Sequence, residues 1–395
     1  MTTVANLILF VLALPAVAIS LYLLLFTLLS SRLATPHRSS SRRLRFDIIV
    51  PAHNEEAAIS GVVAGLLKLD WPANGFRVVV VADNCTDSTA ALARAAGAYV
   101  LERHDTTLRG KGHALDFAFQ ASQAKGWAYA VVVVDADTAV SANLLEAFAS
   151  RIEGGAKVIQ AHYRVLNAQA SWRTRLLAIA LASFHQVRSR ARERLQLSCG
   201  IRGNGWCITR RLLRQVPYLA FSLTEDIEYG IDLGLAGYRV HYADEAFVAA
   251  TMVSGEQAAR SQRQRWEGGR LQLVRSRSLA LLKAGMGPDG RVCLDLALDL
   301  LVLPLSYVAA NVAALIVFAG VARLWQPSLQ MWWWVGLGCG VSLALYVLRG
   351  WQLSGVGVRG LVDLLRAPAF VLWKVLLMAR ARGSAEWVRT RREHP

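Results

Sequence analysis

Residues 46–56, FDIIVPAHNEE, set a short run of branched and aromatic apolar side chains directly before a polar turn. Comparable apolar runs recur at 76–82, 98–101 and 130–134. Runs this short and this continuously apolar suit strands buried on both faces of a mostly parallel sheet. Between them, 54–68, 87–96 and 112–123 suit helices, so the pattern is one of repeated βα units. The expected fold class is therefore α/β, a doubly wound domain whose ligands sit beyond the C-terminal ends of the strands.

Outward from this core the chain becomes too apolar for an ordinary soluble enzyme. Of its 395 residues 54% are apolar and only 18% charged. No charged side chain occurs in 1–31, and 7–29 is nearly continuous hydrocarbon, enough to cross a bilayer. A cleaved leader would need a basic stretch ahead of a shorter core, whereas here Arg32, Arg38, Arg42, Arg43 and Arg45 follow the run. The segment is read as a retained anchor whose C-terminal end faces the cytoplasm. Two further uncharged runs, 300–322 and 324–348, read as a helical hairpin with Trp332, Trp333 and Trp334 near its turn. In 361–378 the charges Asp363, Arg366 and Lys374 fall with Arg359 on one narrow helical face, which predicts an interfacial helix broken near Pro368.

The expected division is thus an N-terminal span at 1–31, a basic linker at 32–45 and a cytoplasmic catalytic domain at 46–255. An amphipathic interfacial region at 256–291, two spans within 292–350 and an interfacial helix with a basic tail at 351–395 complete it. The net charge of +16 is concentrated in four basic blocks, two of them beside apolar runs, where orientation toward anionic lipid explains it better than nucleic acid. Five widely spaced cysteines without a CxxC pair exclude a disulfide framework and a zinc ribbon.

Three of the apolar runs end in carboxylates. The first passes into Pro51-Ala52-His53-Asn54-Glu55-Glu56, the second into Ala82-Asp83-Asn84-Cys85-Thr86-Asp87, and the fourth into Asp135-Ala136-Asp137. An acid after a strand commonly caps the next helix, and Asp87 is placed to do so. Asp135 and Asp137 differ, because alternate residues point the same way and two like charges repel unless a cation lies between them. Oxygen ligands suit Mg2+ or Mn2+ carrying a diphosphate.

Further along, Thr224-Glu225-Asp226 reads as a helix start with Thr224 as its cap, so its acids either complement the helix dipole or include a general base. Residues 256–283 read as a basic helix on a bilayer surface, with Trp266 as an interfacial anchor or a site residue. Lys111 and Arg109, in a glycine-containing loop, either neutralise phosphate or are solvated. His53, His113 and His185 lack metal-ligand spacing. Cys199 and Cys207 flank Gly200, Gly203, Asn204 and Gly205, where the glycines suggest close backbone approach to a ligand and the cysteines suggest nothing reactive.

Taken in order, IVPAHNEE, VVADNCTDST, LRGKGHAL, VVDADT, LTEDIEYG and QRQRW resemble the motifs of the membrane-embedded family 2 glycosyltransferases, the group that contains cellulose, chitin, hyaluronan and poly-N-acetylglucosamine synthases. The resemblance covers about 46–270 and implies a glycosyltransferase A-type nucleotide-sugar domain with transmembrane and interfacial helices. It also implies an inverting β-transfer from a UDP-sugar. Carried onto this chain, it puts Asp83, Glu55, Lys111 and Asp135 on the donor and Asp137 with Asp135 on Mg2+ or Mn2+. Asp226, with Glu225 beside it, takes the place of the base, and Gln262, Arg265 and Trp266 line the acceptor and diphosphate side. The implied partners are a nucleotide sugar, a saccharide or lipid acceptor, membrane lipids, and a second copy or an export partner. Extension of a saccharide is expected first and single transfer to a lipid or lipid-linked acceptor second. A catalytically silent scaffold would have no physical reason to keep these charges.

Overall fold

The computed structural model describes residues 2–35, 41–252, 256–288, 290–302 and 304–368, with side chains from 266 onward in the stretch that begins at 256. In chain order the elements are α1 (Thr2–Leu28), β1 (Phe46–Ala52), α2 (Ile59–Leu66), β2 (Phe76–Asp83), α3 (Thr89–Ala95), β3 (Tyr99–Arg103), α4 (Lys111–Lys125), β4 (Ala130–Val133), β5 (Thr138–Val140), α5 (Leu144–Glu153) and β6 (Val158–Val165). They continue with α6 (Trp172–Leu181), α7 (Arg188–Arg194), β7 (Trp206–Thr209), α8 (Arg210–Gln215), α9 (Glu225–Leu235), β8 (His241–Ala250), α10 (Glu256–Gly285), α11 (Arg291–Leu301), α12 (Leu305–Trp325), α13 (Gln330–Ser354) and α14 (Gly357–Asp363).

The strands form one eight-stranded sheet in the order β3-β2-β1-β4-β7-β6-β8-β5. The first four are parallel, with Ile48 level with Val78 on one side and Val132 on the other. A mostly parallel sheet holds only for this half. β7 runs antiparallel to both β4 and β6, β8 lies parallel to β6, and β5 closes the edge antiparallel to β8. Strand β7 is four residues long, too short a run for its direction to be read from pattern.

Alternate side chains of the central strands enter opposite cores. Ile48, Val50, Val80 and Val132 pack with Val63 and Leu66 of α2 and Phe148 of α5. Ile49, Val81, Val131 and Val133 pack with Leu115 and Phe119 of α4 and with Tyr229 and Leu233 of α9. This double burial explains why the strands read as unbroken apolar runs.

The described residues divide into two compact units, one built from 32–167 and 192–298 and the other from 2–31, 168–191 and 299–368. Segment 168–191 thus groups with the apolar helices and not with the sheet. In that second unit Leu9, Ala16 and Leu23 of α1, Val312 and Leu315 of α12 and Leu343 of α13 share a core. Thr3–Leu28, Leu305–Trp325 and Pro327–Ser354 are long and apolar enough to cross a membrane. The second starts later than the uncharged run at 300 suggested, because Pro304 separates it from α11 and sets the start of α12.

Ser171 and Thr174 form a reciprocal capping box at the start of α6. A π-helical turn follows at Ala182–Val187, and the Ser183 carbonyl accepts a bond from the Tyr346 hydroxyl at 2.9 Å. Arg188 donates to that hydroxyl and to Asp299 at 3.0 Å. Asp363, which the helical pattern puts with Arg366 and Lys374 on one charged face, is buried and bound by Arg175 at 2.6 Å. The part of that segment after 368 lies outside the described residues.

Candidate active site

The C-terminal ends of β1 and β2 are laced together. Asn54, in the left-handed region at φ 55°, accepts through its side chain from the Thr86 N–H at 2.7 Å. The Thr89 hydroxyl accepts from the Glu55 N–H at 2.8 Å, and His53 Nδ1 lies 2.7 Å from the Asp83 carbonyl. Asp87 accepts from the Glu56 and Thr89 N–H groups, so it serves the first turn of α3 from one place ahead of the N-cap, Ser88. These bonds fix the loop that carries Asp83 without using its carboxylate.

Asp83 itself is buried, and its Oδ1 accepts from Arg103 Nη1 at 2.7 Å and from Asn84 Nδ2 at 3.2 Å. Arg103 also bonds Asp105 and the Leu108 carbonyl, so the guanidinium is held from three sides. Among the described residues none donates to Asp83 Oδ2, which leaves that oxygen able to accept from a ligand. Arg103 was not among the residues expected from the sequence; its one cue was a cation closing an apolar strand.

Lys111 gathers the other candidates. Its Nζ lies 2.6 Å from Asp135 Oδ1, 2.6 Å from the Gly203 carbonyl and 3.9 Å from Glu225 Oε1. Burial alone would lower the Lys111 ammonium, but Asp135 and Glu225 outweigh it and hold it above its ordinary value. Burial pushes Glu225 up to about 7 against the pull of Lys111, and it raises Asp226 as well. The two acids share one cation, so they titrate as a pair. Thr224 occupies the cap position of α9 without a side-chain cap bond, which corrects its expected role.

Two of the glycines in 200–205 have a packing reason of their own. Gly205, at φ 69°, leaves no room for a Cβ, which would meet Val248 at 2.5 Å. Gly203, at φ 78°, presents its carbonyl to Lys111 and lies against Asp226. Burial pushes the Cys199 thiol up to about 12 and raises Cys207, so neither is a nucleophile. Arg109 is exposed and, among the described residues, bonds within its own loop to the Thr106 carbonyl.

Asp135 and Asp137 are both half-buried and flank the buried Ala136. Among the described residues no three acidic, histidine or cysteine side chains converge on a metal position. A pair of carboxylates nevertheless suits Mg2+ or Mn2+, which commonly takes one or two of them and completes its shell with substrate phosphate and water. Trp266 is half-buried near the middle of α10, and Gly269 lies so close to Thr224 that a Cβ would meet its Cγ2 at 2.6 Å. That contact, with Arg277 bridging Glu228 and Asp232, lays α10 along α9. The side chains of Gln262 and Arg265 lie outside the described residues.

The model of a family described as "Glycosyltransferase like family 2" matches residues 44–269, a span that holds every candidate above. A probable glycosyltransferase, YdaM, of Bacillus subtilis (strain 168) is 23% identical over 239 residues, 58% of this chain and 56% of that protein. A beta-monoglucosyldiacylglycerol synthase of Nostoc sp. (strain PCC 7120 / SAG 25.82 / UTEX 2576) is 28% identical over 234 residues, 56% of this chain and 48% of that protein. The chain spans about half the length of these curated relatives. The mannosyltransferase PcManGT from Pyrobaculum calidifontis, solved with GDP-Man and Mn2+, superposes with a TM-score of 0.58 at 18% identity, covering 88% of this chain and 99% of that one. The shared fold is of the glycosyltransferase A type.

Proposed function

We propose that this chain, which belongs to glycosyltransferase-like family 2, transfers a sugar from a UDP-sugar to a hydroxyl acceptor with inversion at the anomeric carbon. The observation that carries the reading is the Lys111 cluster, which sets Asp135 beside Glu225 and Asp226 at one edge of the sheet. Asp83 Oδ2 accepts the imide N–H of the base. Lys111 offers positive charge to the diphosphate. Asp226, with Glu225 beside it, takes the acceptor proton as the new bond forms. Asp135 and Asp137 would hold a divalent cation, which when bound stabilises charge on the departing diphosphate. Gln262 and Arg265 would line the diphosphate side, and Trp266 would stack on the acceptor.

For the acceptor we favour a lipid or lipid-linked molecule. The three helices of spanning length among the described residues scarcely enclose a polysaccharide channel, and the Nostoc relative is named for a glucosyldiacylglycerol. Extension of a saccharide is the second reading, supported by the half-buried indole of Trp266. The arginines after α1 favour an inner-membrane protein with its catalytic part and C-terminus in the cytoplasm. Reporters fused after Pro395 and inserted at 36–41 should then read cytoplasm, and one near Gln326 periplasm.

The direct experiment incubates the purified enzyme with UDP-sugars and GDP-mannose, offering diacylglycerol vesicles or oligosaccharides, and identifies products by mass spectrometry. A β-linked product from one UDP-sugar is expected, lost with chelator or in Asp137→Ala. Asp226→Asn should keep UDP binding while transfer falls at least about a hundredfold. Full turnover in excess chelator, or product from GDP-mannose alone, would overturn the reading.

A further inference from the structure

Beneath the carboxylate pair lie two buried amides that touch no reacting group. Asn204 is 2% exposed and Gln160 1%. Asn204 Oδ1 accepts from the Asp135 N–H at 3.0 Å, and its Nδ2 donates to the Thr138 hydroxyl at 2.7 Å. The Thr138 hydroxyl in turn points its donor at Asp137 Oδ1, 3.4 Å away. One side chain therefore grips both ends of the turn 135–138, reaching Asp135 through its backbone and Asp137 through a hydroxyl. The turn's own bond, from the Thr138 N–H to the Asp135 carbonyl, is 3.2 Å.

Gln160 holds Asn204 from behind. Its Nε2 donates to the Asn204 carbonyl at 2.7 Å, and its Oε1 accepts from the Arg202 N–H at 2.8 Å. The loop 202–205 is thereby fixed to β6 before it meets the turn. Both amide groups of Asn204 are spent on the turn, at a depth where an unmet polar group is costly.

We propose that Asn204, backed by Gln160, is a positioning residue for the divalent cation: it sets the separation of the Asp135 and Asp137 carboxylates. This rests on the metal reading given above. Two carboxylates left to themselves splay apart, and a cation would have to order the turn as it binds; the brace has already done so. The function of the glycine-flanked Asn204 is thus to pre-shape the cation site from behind, while Gly203 and Gly205 let the loop pass Asp226 and Val248.

The test is an electron-paramagnetic-resonance titration of Mn2+ in the presence of UDP, on the full-length wild type, Asn204→Ala and Thr138→Val. Asn204→Ala should raise the Mn2+ Kd about 10- to 100-fold, the range for partners that orient metal ligands. The apparent KM for Mn2+ should rise in parallel, with kcat at saturating Mn2+ held within about threefold. Thr138→Val keeps the Asp135 bond and should weaken Mn2+ by roughly threefold to tenfold. A folded Asn204→Ala with wild-type Mn2+ affinity, or one whose kcat falls while its Mn2+ affinity stays, would overturn the brace. If Asn204→Ala does not fold, unchanged Mn2+ affinity in Thr138→Val does so instead. Wild-type enzyme that binds no Mn2+ with UDP would overturn the metal reading itself, a different and separable failure.

Discussion

Two arginine–aspartate pairs join neighbouring parallel strands at opposite ends of the sheet, and they are built differently. At the N-terminal end, Asp47 is fully buried; Arg77 binds both of its oxygens at 2.8 Å, and the Ser122 hydroxyl adds a third bond at 2.6 Å. The Arg77 guanidinium also rests on the Trp127 ring, 4.3 Å from its centre. At the C-terminal end, Arg103 and Asn84 both address a single oxygen of Asp83. Asp47, bound through both oxygens and fully buried, is closed to a ligand, whereas Asp83 is held through one oxygen with the other to spare. The same pair of residue types thus makes a structural lock in one position and a binding group in the other.

The strongest way to break this comparison is Asp47→Ala. It removes a fully buried carboxylate that holds the partly exposed Arg77 guanidinium and the Ser122 hydroxyl, and should cost about 1.5–3 kcal/mol of stability in a urea titration, with kcat/KM of the folded fraction unchanged. A drop in kcat/KM at full folding would make Asp47 more than a lock. Asp83→Ala is the counterpart, because Arg103 keeps Asp105 and the Leu108 carbonyl as partners. Loss of one charge-assisted bond to the nucleotide should lower kcat/KM for the UDP-sugar about 10- to 100-fold. If instead Asp83→Ala unfolds the protein and leaves residual activity intact, the two pairs are alike.

Glu225 sharpens the comparison from a third side, as a half-buried carboxyl that faces Lys111 and, among the described residues, no arginine. Its folded value of about 7 lies above its ordinary 4.5, so between these limits the folded state binds more protons than the unfolded one. Stability should therefore fall as pH rises through that window, and Glu225→Gln should flatten the fall. Melting temperatures of metal-free enzyme at pH 5 and pH 8 measure it; a rising profile would contradict burial as the dominant influence. The smallest effect belongs to Trp127→Ala, which removes the ring under Arg77. It should cost roughly 0.5–1 kcal/mol beyond the lost packing and leave UDP affinity untouched, as calorimetry would show.

Much of the site was legible along the chain. The strand-end carboxylates Asp83, Asp135 and Asp137 stand directly after apolar runs, and a strand end is a local feature. Lys111 and Glu225 were equally visible as charges in a glycine-containing loop and at a helix start. Less visible was what holds them. Arg103 meets Asp83 twenty residues away, and Asn204 reaches Asp135 from sixty-nine residues downstream. Asp363 looked like part of one charged face because helical periodicity places charges around an axis and says nothing of Arg175, 188 residues distant.

The sequence by itself determined the buried parallel strands, the three long apolar helices and the acids at the strand ends, since each follows from periodicity, length or a neighbour in the chain. Only the tertiary structure decided that β7 runs antiparallel, that segment 168–191 groups with the apolar helices, and that Asp47 is bound through both oxygens while Asp83 is bound through one. Which buried polar group satisfies which depends on register and on residues brought together from far apart. No local pattern encodes that pairing, because the same arginine and aspartate are compatible with either outcome until their remaining hydrogen-bond partners are fixed.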